Sequence, residues 1–405
     1  MLVKIAWRNI WRNKVRSLVV ITAIAMGMWA GTFTSAFYEG MMIQKIDDVI
    51  ASEMSHFQVH DTNFREELQV RYFINDGLSI ENEIQKNEHV IATTGRTIST
   101  AMMQSATKSG AIKLLGIDPE EEDRVTELSQ KLEEGEYFIG VKRNPIFISQ
   151  KMAEEYKLKL GSKPVIQLQD VNGEIIAVSF KVVGIFKSNN GMLDAMNAYV
   201  RRDDLQQILG LQTSNYHEIA VLLDQNDLAE SIAAHYQKQY PDLEVKPWLD
   251  LATGMRYMVE ASGTFAYVIV SIILVALLFS VINTMLMAVM ERTREIGMLM
   301  AVGLNKTKVF LMIMLETVFL TMIGGPLGLL IAGAFIHITG KNGIDLGAIG
   351  ETYSDLGFAA VVYPVLSMES YFSITMMVFG MALIAAIYPA RKALKLNPSE
   401  AIRKI

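Results

Sequence analysis

The chain has 405 residues, of which 51% are hydrophobic and 20% are charged, and its mean hydropathy is +0.26. A charged fraction below the about 25% of soluble domains directs attention to membrane segments. The net charge of -6 argues against a nucleic-acid-binding protein, and the absence of cysteine excludes disulfides, thiolate metal sites, cysteine nucleophiles and cysteine lipidation.

The N-terminal segment 1–16 is both basic and aromatic. Lys4, Arg8 and Arg12 recur every four residues, which places them on one stripe of a helix beside two tryptophans. We expect a helix that lies in the cytoplasmic interface of a membrane, with its aromatic rings at headgroup depth. An ordinary basic flank of a membrane helix is the alternative interpretation.

Four stretches are long and apolar enough to cross about 30 Å of hydrocarbon as helices. They comprise residues 17–38, 261–290, 309–338 and 370–390. The first stretch could be a cleaved signal peptide, but its apolar run exceeds the about 7–15 residues usual there, so we expect it to be retained. The pattern predicts four transmembrane helices.

The distribution of charge predicts the orientation of these helices. Lys and Arg outnumber Asp and Glu in 1–16, 291–308 and 391–405, whereas acidic residues prevail in 39–260 and 339–369. Because basic loops stay in the cytoplasm, we expect both termini and the central loop to be cytoplasmic. The large acidic segment and the last loop should lie on the other side of the membrane.

The segment 39–260 is large enough for a core of its own and for two subdomains. Asn172-Gly173 predicts a hairpin turn, and runs of alternating apolar residues predict strands on both sides of it. We expect a mixed α/β domain. Its predicted strands are 55–60, 111–117, 165–168, 175–186 and 218–223, and its predicted helices are 149–156, 203–209 and 228–240.

A search for catalytic or metal-binding motifs finds little. The sequence contains no G-x-x-x-x-G-K-[ST] phosphate loop and no G-x-S-x-G nucleophile elbow. His56 and His60 lie on an expected strand, which separates them too far to share a metal ion. The acidic run 118–123 lacks the EF-hand pattern and is expected to be a solvated loop. We therefore expect no catalytic residue, metal or cofactor in this chain.

Two features inside the predicted spans allow more than one interpretation. Glu316 could belong to a proton relay, but the sequence offers no chain of ionisable partners, and a packing or near-interface carboxyl is favoured. The glycines of 324–328 favour close helix packing over a gating hinge.

The segment 291–303 follows the second span directly and is both charged and apolar. Ile296, Leu299 and Met300 share one face of a helix, with the charges on another face. A helix of this kind, closed by Gly303, is typical of a docking element. A structural linker with a solvated charged face is the alternative.

Three segments resemble the FtsX-like permease family of ABC transporters. The first is Asn283 to Gly303, N-T-M-L-x-x-V-x-E-R-T-R-E-I-G-x-x-x-A-V-G, and the second is the C-terminal Y-P-A-R-K-A through Arg403. The start, Ala6 to Ser17, is also similar. In the outer segment, 116–118, 148–161 and 182–185 resemble the lipoprotein-releasing (Lol) permeases and the macrolide exporter MacB.

The resemblance implies a permease that dimerises and pairs with a separate cytoplasmic ATPase, which would hold ATP and magnesium. Such transporters are thought to work by mechanotransmission, in which ATPase closure pushes on a cytoplasmic helix and long helices carry the motion to the outer domains. The resemblance also implies the inner membrane of a bacterium. Lipoprotein release is the expected activity. Efflux of a drug, peptide or lipid, or regulation of an extracytoplasmic hydrolase or sensor, are the alternatives.

The same resemblance assigns candidate site residues. Five residues are expected to contact the ATPase: Glu291, Arg292, Arg294, Glu295 and Met298. Apolar groups at the outer ends of the first two spans are candidates for contact with acyl chains, although packing or lipid-facing roles are the alternative: Phe33, Phe37, Met41, Phe265 and Val268.

Overall fold

The structure, a computed structural model, describes residues 2–138, 143–188, 191–347 and 358–394. The chain divides into two compact units. The helical unit comprises Met1–Met42, Val259–Asp345 and Val361–Ile405, and the α/β domain comprises Ile43–Met258 and Leu346–Ala360. The predicted closing motif beyond Leu394 and part of the loop 339–369 lie outside the described residues.

The regular elements are as follows. The helices are Leu2–Arg12 (α1), Lys14–Val49 (α2), Phe64–Glu67 (α3), Gly77–Ile84 (α4), Pro119–Thr126 (α5), Gln150–Tyr156 (α6), Gly191–Met196 (α7), Arg202–Leu209 (α8), Ala229–Gln239 (α9), Trp248–Leu251 (α10), Thr253–Glu291 (α11), Thr293–Ala301 (α12), Lys306–Asn342 (α13) and Met368–Leu394 (α14). The strands are Phe57–Asp61 (β1), Val90–Gln104 (β2), Ser109–Ile117 (β3), Leu132–Gly135 (β4), Pro145–Ser149 (β5), Val165–Gln169 (β6), Ile175–Ser179 (β7), Lys181–Phe186 (β8), Asn197–Arg201 (β9), Glu218–Leu223 (β10), Leu243–Pro247 (β11), Ile344–Asp345 (β12) and Val361–Val362 (β13).

Four helices in the described part of the chain, α2, α11, α13 and α14, are long and apolar enough to cross a membrane. Their apolar stretches coincide with the four predicted spans. Buried aliphatic side chains from all four helices form one core, which includes Ile24, Val281, Ile313 and Val378. Helix α2 has 36 residues and α11 has 39, so both exceed the about 20 residues that a span needs.

Helices α2 and α13 approach each other closely through two glycines of α13. A Cβ atom at Gly324 would lie 2.8 Å from the carbonyl oxygen of Ile21, and one at Gly328 would lie 2.5 Å from that of Ala25. Only glycine leaves room for the backbone of α2 at these points. This geometry agrees with the close-packing interpretation of the glycine segment, which also contains Pro326 within the helix.

The α/β domain is built on a mixed sheet whose strand order is β11-β1-β10-β2-β3-β9-β5-β8-β4. The hairpin β6–β7 pairs with the end of β2 and turns at Asn172-Gly173, where Gly173 has a φ of +87°. The long strand β2 belongs to both halves of the sheet, because its first part pairs with β10 and its second part pairs with β3 and β6.

Several predicted elements differ from the structure. The strand predicted over 175–186 is two strands. Strand β7 and its pairing with β6 end at Ser179, and β8 then pairs with β4 and β5. The prediction of a solvated loop over 118–123 is wrong, because this segment begins α5. Asp118 caps the helix by accepting hydrogen bonds from the backbone N–H groups of Glu120 and Glu121, and Pro119 occupies the first turn.

The acidic side chain of Glu122 is not solvated either, because it faces a buried arginine of β2. Arg96 donates to both oxygens of Glu122, at 2.8 and 2.7 Å, and to Glu218 of β10 at 2.6 Å. All three side chains are almost fully buried. A buried guanidinium between two carboxylates is tolerated since every charge has a close partner of opposite sign.

Candidate coupling site

Helix α12 has one buried and one exposed face. Ile296 is buried in the core of the helical unit, and Met300 and Leu304 pack against that core. Gly303, with a φ of +101°, ends the turn that follows the helix. The apolar face predicted from the sequence therefore anchors α12 to the membrane helices.

The opposite face of α12, continued by the residue that follows the helix, presents one cation and two large apolar groups. Arg294 is exposed, Met298 is 50% exposed and Val302 is 89% exposed. Their spacing of four residues places them on one stripe of the helix, which we call the α12 stripe. No ion pair of Arg294 occurs among the residues that the structure describes.

The charged residues at the start of α12 are bound within the chain instead. Their centre is Glu316 of α13, which is only 7% exposed. Its carboxylate accepts a hydrogen bond of 2.6 Å from the side-chain amide of Asn9 and forms an ion pair with Arg292, whose Nη1 lies 3.2 and 3.3 Å from the two oxygens. Glu316 thus has a neutral donor and a cation as partners.

Further ion pairs extend this arrangement. Arg292 lies 3.4 Å from Glu295, which also pairs with Arg12 of α1, and Arg16 of α2 pairs with Glu291 at the end of α11. We call these groups the Glu316 cluster: Asn9, Arg12, Arg16, Glu291, Arg292, Glu295 and Glu316. Its three arginines balance its three glutamates.

The charge balance affects the ionisation of Glu295. Partial burial by itself would raise the pKa of this carboxyl, but the guanidinium groups of Arg12 and Arg292 outweigh burial and lower the pKa. Glu295 is therefore an anion at neutral pH. A cavity of about 200 Å³ lies beside the cluster and is lined by its seven members together with Asn13, Ser17 and apolar residues of α1, α2, α11 and α13.

Helix α1 packs beside α13. Ala6 and Ile10 are buried, whereas the ring of Trp7 packs edge-on against Phe319 of α13 with centroids 5.4 Å apart. Trp7 and Trp11 remain nearly half exposed. This arrangement of a buried apolar face and half-exposed tryptophans is compatible with the predicted interfacial helix.

The structure separates the five predicted ATPase contacts into two groups. Arg294 and Met298 lie on the α12 stripe, whereas Glu291, Arg292 and Glu295 belong to the Glu316 cluster. The sequence showed no partner for Glu316, but the structure supplies two. The signal that could have found them is the cost of an unpaired carboxylate in a membrane, which requires a cation such as those at the start of α12.

The candidate substrate residues lie in different environments. Phe33 stacks on Trp29 and meets Phe335 of α13 edge-on, at centroid distances of 6.1 and 5.2 Å. Phe37 and Met41 are partly buried on α2. On α11, the apolar groups are open to the surroundings: Phe265 is 58% and Val268 is 51% exposed. Phe33 thus packs between helices. Among the five candidate substrate residues, only Phe265 and Val268 of α11 are exposed.

Comparison with known proteins agrees with this architecture. The family model described as "MacB-like periplasmic core domain" matches residues 17–238, more than half of the chain. The model described as "FtsX-like permease C-terminal" matches residues 267–398, which include α12 and Glu316.

Individual relatives are similar at low identity. The uncharacterized ABC transporter permease YknZ of Bacillus subtilis is 27% identical over 63% of this chain, and the match spans 60% of the length of YknZ. LolC of Neisseria meningitidis, a lipoprotein-releasing system transmembrane protein, is 22% identical over 96% of this chain and 94% of its own.

The macrolide export ATP-binding/permease protein MacB of Escherichia coli is 32% identical over 34% of this chain and 20% of its own. YknZ and MacB are thus named as permeases, and LolC is named as a transmembrane protein of a lipoprotein-releasing system. Together with four apolar helices, an α/β domain and a helix with the family's charged motif, the matches show that this chain belongs to the family of FtsX-like ABC transporter permeases with a MacB-like periplasmic core domain.

Proposed function

We propose that this chain is the membrane subunit on which a separate cytoplasmic ABC ATPase acts, and that α12 is the docking helix for that ATPase. The observation that carries the proposal is the α12 stripe. Arg294, Met298 and Val302 offer a cation beside two exposed apolar groups, while the other face of the same helix is packed into the core. A helix held on one face and free on the other suits a rigid contact with a partner.

In this proposal the termini and α12 are cytoplasmic and the α/β domain is periplasmic, as the positive-inside rule predicts. ATP and magnesium are held by the partner, whose closure displaces α12. Helix α11 ends at Glu291, immediately before α12, and the Glu316 cluster joins the junction of α11 and α12 to α1, α2 and α13. A displacement of α12 therefore acts on long helices, and substrate is moved from the outer leaflet or the periplasm. A second copy or a paralogue completes the complex.

We infer lipoprotein release as the activity. The similarity to LolC of a lipoprotein-releasing system extends along nearly the full length of both chains, whereas the match to MacB covers a fifth of that protein. Acyl chains would meet apolar groups such as Phe265 and Val268, which are exposed on α11. Macrolide-type efflux is the second candidate, because a MacB-like core domain spans residues 17–238.

The docking proposal is tested by purification of the full chain from its host in mild detergent, followed by mass spectrometry. We expect an ABC ATPase to co-purify with the wild type and to be lost from Arg294→Glu and Met298→Glu. Arg143→Glu is the matched control, since Arg143 is an exposed arginine of the α/β domain. A folded wild-type chain without any ATPase would overturn the proposal, as would full retention of the ATPase by both α12 variants.

The substrate is tested with the purified complex in proteoliposomes that contain either a triacylated lipoprotein or a macrolide. ATP-dependent release of the lipoprotein is expected. ATP-dependent movement of the macrolide alone would replace lipoprotein release with efflux.

A further inference from the structure

Glu316 is a buried carboxylate within a helix long and apolar enough to span a membrane, and the docking proposal names its cluster without saying what Glu316 itself does. A carboxylate in such a position is expensive to bury and persists where a function or a strong partner retains it. Its partners are Asn9 and Arg292, which lie 307 and 24 residues away in the sequence. The side chain therefore joins three segments that are distant in the chain: α1, the start of α12 and α13.

The contacts of the cluster are unequal in strength. The pairs Arg12–Glu295 and Arg16–Glu291 each contain a group that is about half exposed, so water and salt screen them. The pair Arg292–Glu316 is the least exposed ion pair of the cluster. Its charges are weakly screened, and the hydrogen bond from Asn9 satisfies the same carboxylate. The ion pair of Arg292 with Glu316 is thus the strongest contact between the start of α12 and the membrane helices.

We propose that Glu316 is the positioning residue of the docking helix. By holding Arg292, the residue immediately before α12, it sets the orientation of the α12 stripe. By holding Asn9 as well, it makes any displacement of α12 act on α13 and α1 together. The consequence for ATPase coupling rests on the docking function proposed above, but the positional claim concerns this chain alone.

A cavity next to the Glu316 cluster leaves room for the ion pair of Arg292 and Glu316 to rearrange. The cavity of about 200 Å³ borders both Arg292 and Glu316, and Glu291 and Glu295 line it too. Arg292 can therefore exchange between Glu316 and Glu295, which it already contacts at 3.4 Å. When α12 moves, Arg292 therefore keeps a carboxylate partner within reach, either Glu316 or Glu295.

The test is hydrogen exchange by mass spectrometry on the full detergent-solubilised chain without ATPase. Glu316→Gln keeps the size of the side chain and removes its charge. We expect amide exchange across 291–305 to rise about tenfold, the difference between a charge-assisted and a neutral hydrogen bond. Glu316→Asp, which keeps the charge, should restore part of the protection, and Asn9→Ala should give a smaller rise.

The matched control is Thr321→Val on the same helix. Thr321 is also buried, and its hydroxyl donates to the backbone oxygen of Thr317 within α13. The Thr321→Val substitution should leave amide hydrogen exchange across 291–305 unchanged. Equal exchange in wild type and Glu316→Gln, or equal increases in Glu316→Gln and Thr321→Val, would overturn the positioning role.

A second measurement adds the co-purified ATPase and follows ATP hydrolysis as the permease concentration is varied. A misoriented α12 should raise the permease concentration for half-maximal activity about tenfold, because a smaller fraction of molecules is competent to bind. The maximal rate should change little. An ATPase that never associates with the wild type refutes the docking function but leaves the exchange result standing, whereas unchanged exchange beside normal ATPase association refutes only the positioning role.

Discussion

The carboxyl group of Glu81 in the α/β domain is buried in surroundings that disfavour its charged form. Its side chain is 5% exposed, and Oε2 has no hydrogen-bond partner among the described residues. Burial raises the pKa of Glu81 to about 7, the nearby charge of Glu121 adds to the effect, and Arg202 opposes it. We therefore predict that Glu81→Gln stabilises the domain, and that the gain depends on pH.

The sign follows from proton linkage. The folded pKa of about 7 exceeds the ordinary value of 4.5, so the folded state binds the proton more tightly than the unfolded state. The stability that this proton confers is complete below pH 4.5 and is lost as the pH rises through 7. A difference of about 2.5 pKa units corresponds to about 3 kcal/mol at pH 8 and about 1 kcal/mol at pH 5. Glutamine has no charge to bury, so the variant should gain these amounts.

The assay is a urea titration of the full chain in detergent, with pulsed hydrogen exchange reporting the unfolding of β2 and β10. Wild type and variant are compared at the same pH, because His217 has the opposite dependence. Burial lowers the pKa of His217 to about 4, so protonation of the unfolded state destabilises the fold as the pH falls below 6.5. The same gain at pH 5 and pH 8, or a loss of stability at pH 8, would refute the reasoning about Glu81.

Two further predictions concern buried packing and charge. Arg96→Met should destabilise the α/β domain by about 3–5 kcal/mol, because it leaves the carboxylates of Glu122 and Glu218 buried without a cation. Adding Glu122→Leu and Glu218→Leu should recover much of this loss in the same urea titration, and a triple variant less stable than the single one would contradict the account. Gly328→Leu should lower the thermal unfolding temperature of the helical unit, since its Cβ would lie 2.5 Å from the carbonyl oxygen of Ala25. Gly333→Leu, where a Cβ meets nothing within 4 Å, is the matched control on the same helix and should change that temperature little.

The features that could be predicted from the sequence are those with a local physical cause. Four apolar stretches identify the long helices, since length and hydropathy suffice for a membrane span. Asn172-Gly173 identifies the hairpin β6–β7, because its turn needs a positive φ. The 3.6-residue period of 291–303 identifies α12 and its buried face. The specific charged motif within that segment also pointed to the permease family.

The features that the sequence left undecided depend on which distant segments meet. Strand β2 has 15 residues and was not predicted, because its residues face two different sets of neighbours and do not alternate along their whole length. The sequence of 118–123 predicts a solvated loop, but Glu122 is buried because Arg96 lies opposite it on β2.

Glu316 is the clearest case. Its position in an apolar helix marked it as unusual from the sequence, but both of its partners were invisible there. Asn9 donates to it across 307 residues of sequence, and Arg292 reaches it only because α11 ends beside α13. The order and chemistry of the segments are encoded locally and can be read along the chain. The pairing of buried charges is decided by tertiary packing, since the energy of a charge depends on what lies within a few ångströms of it and not on its neighbours in sequence.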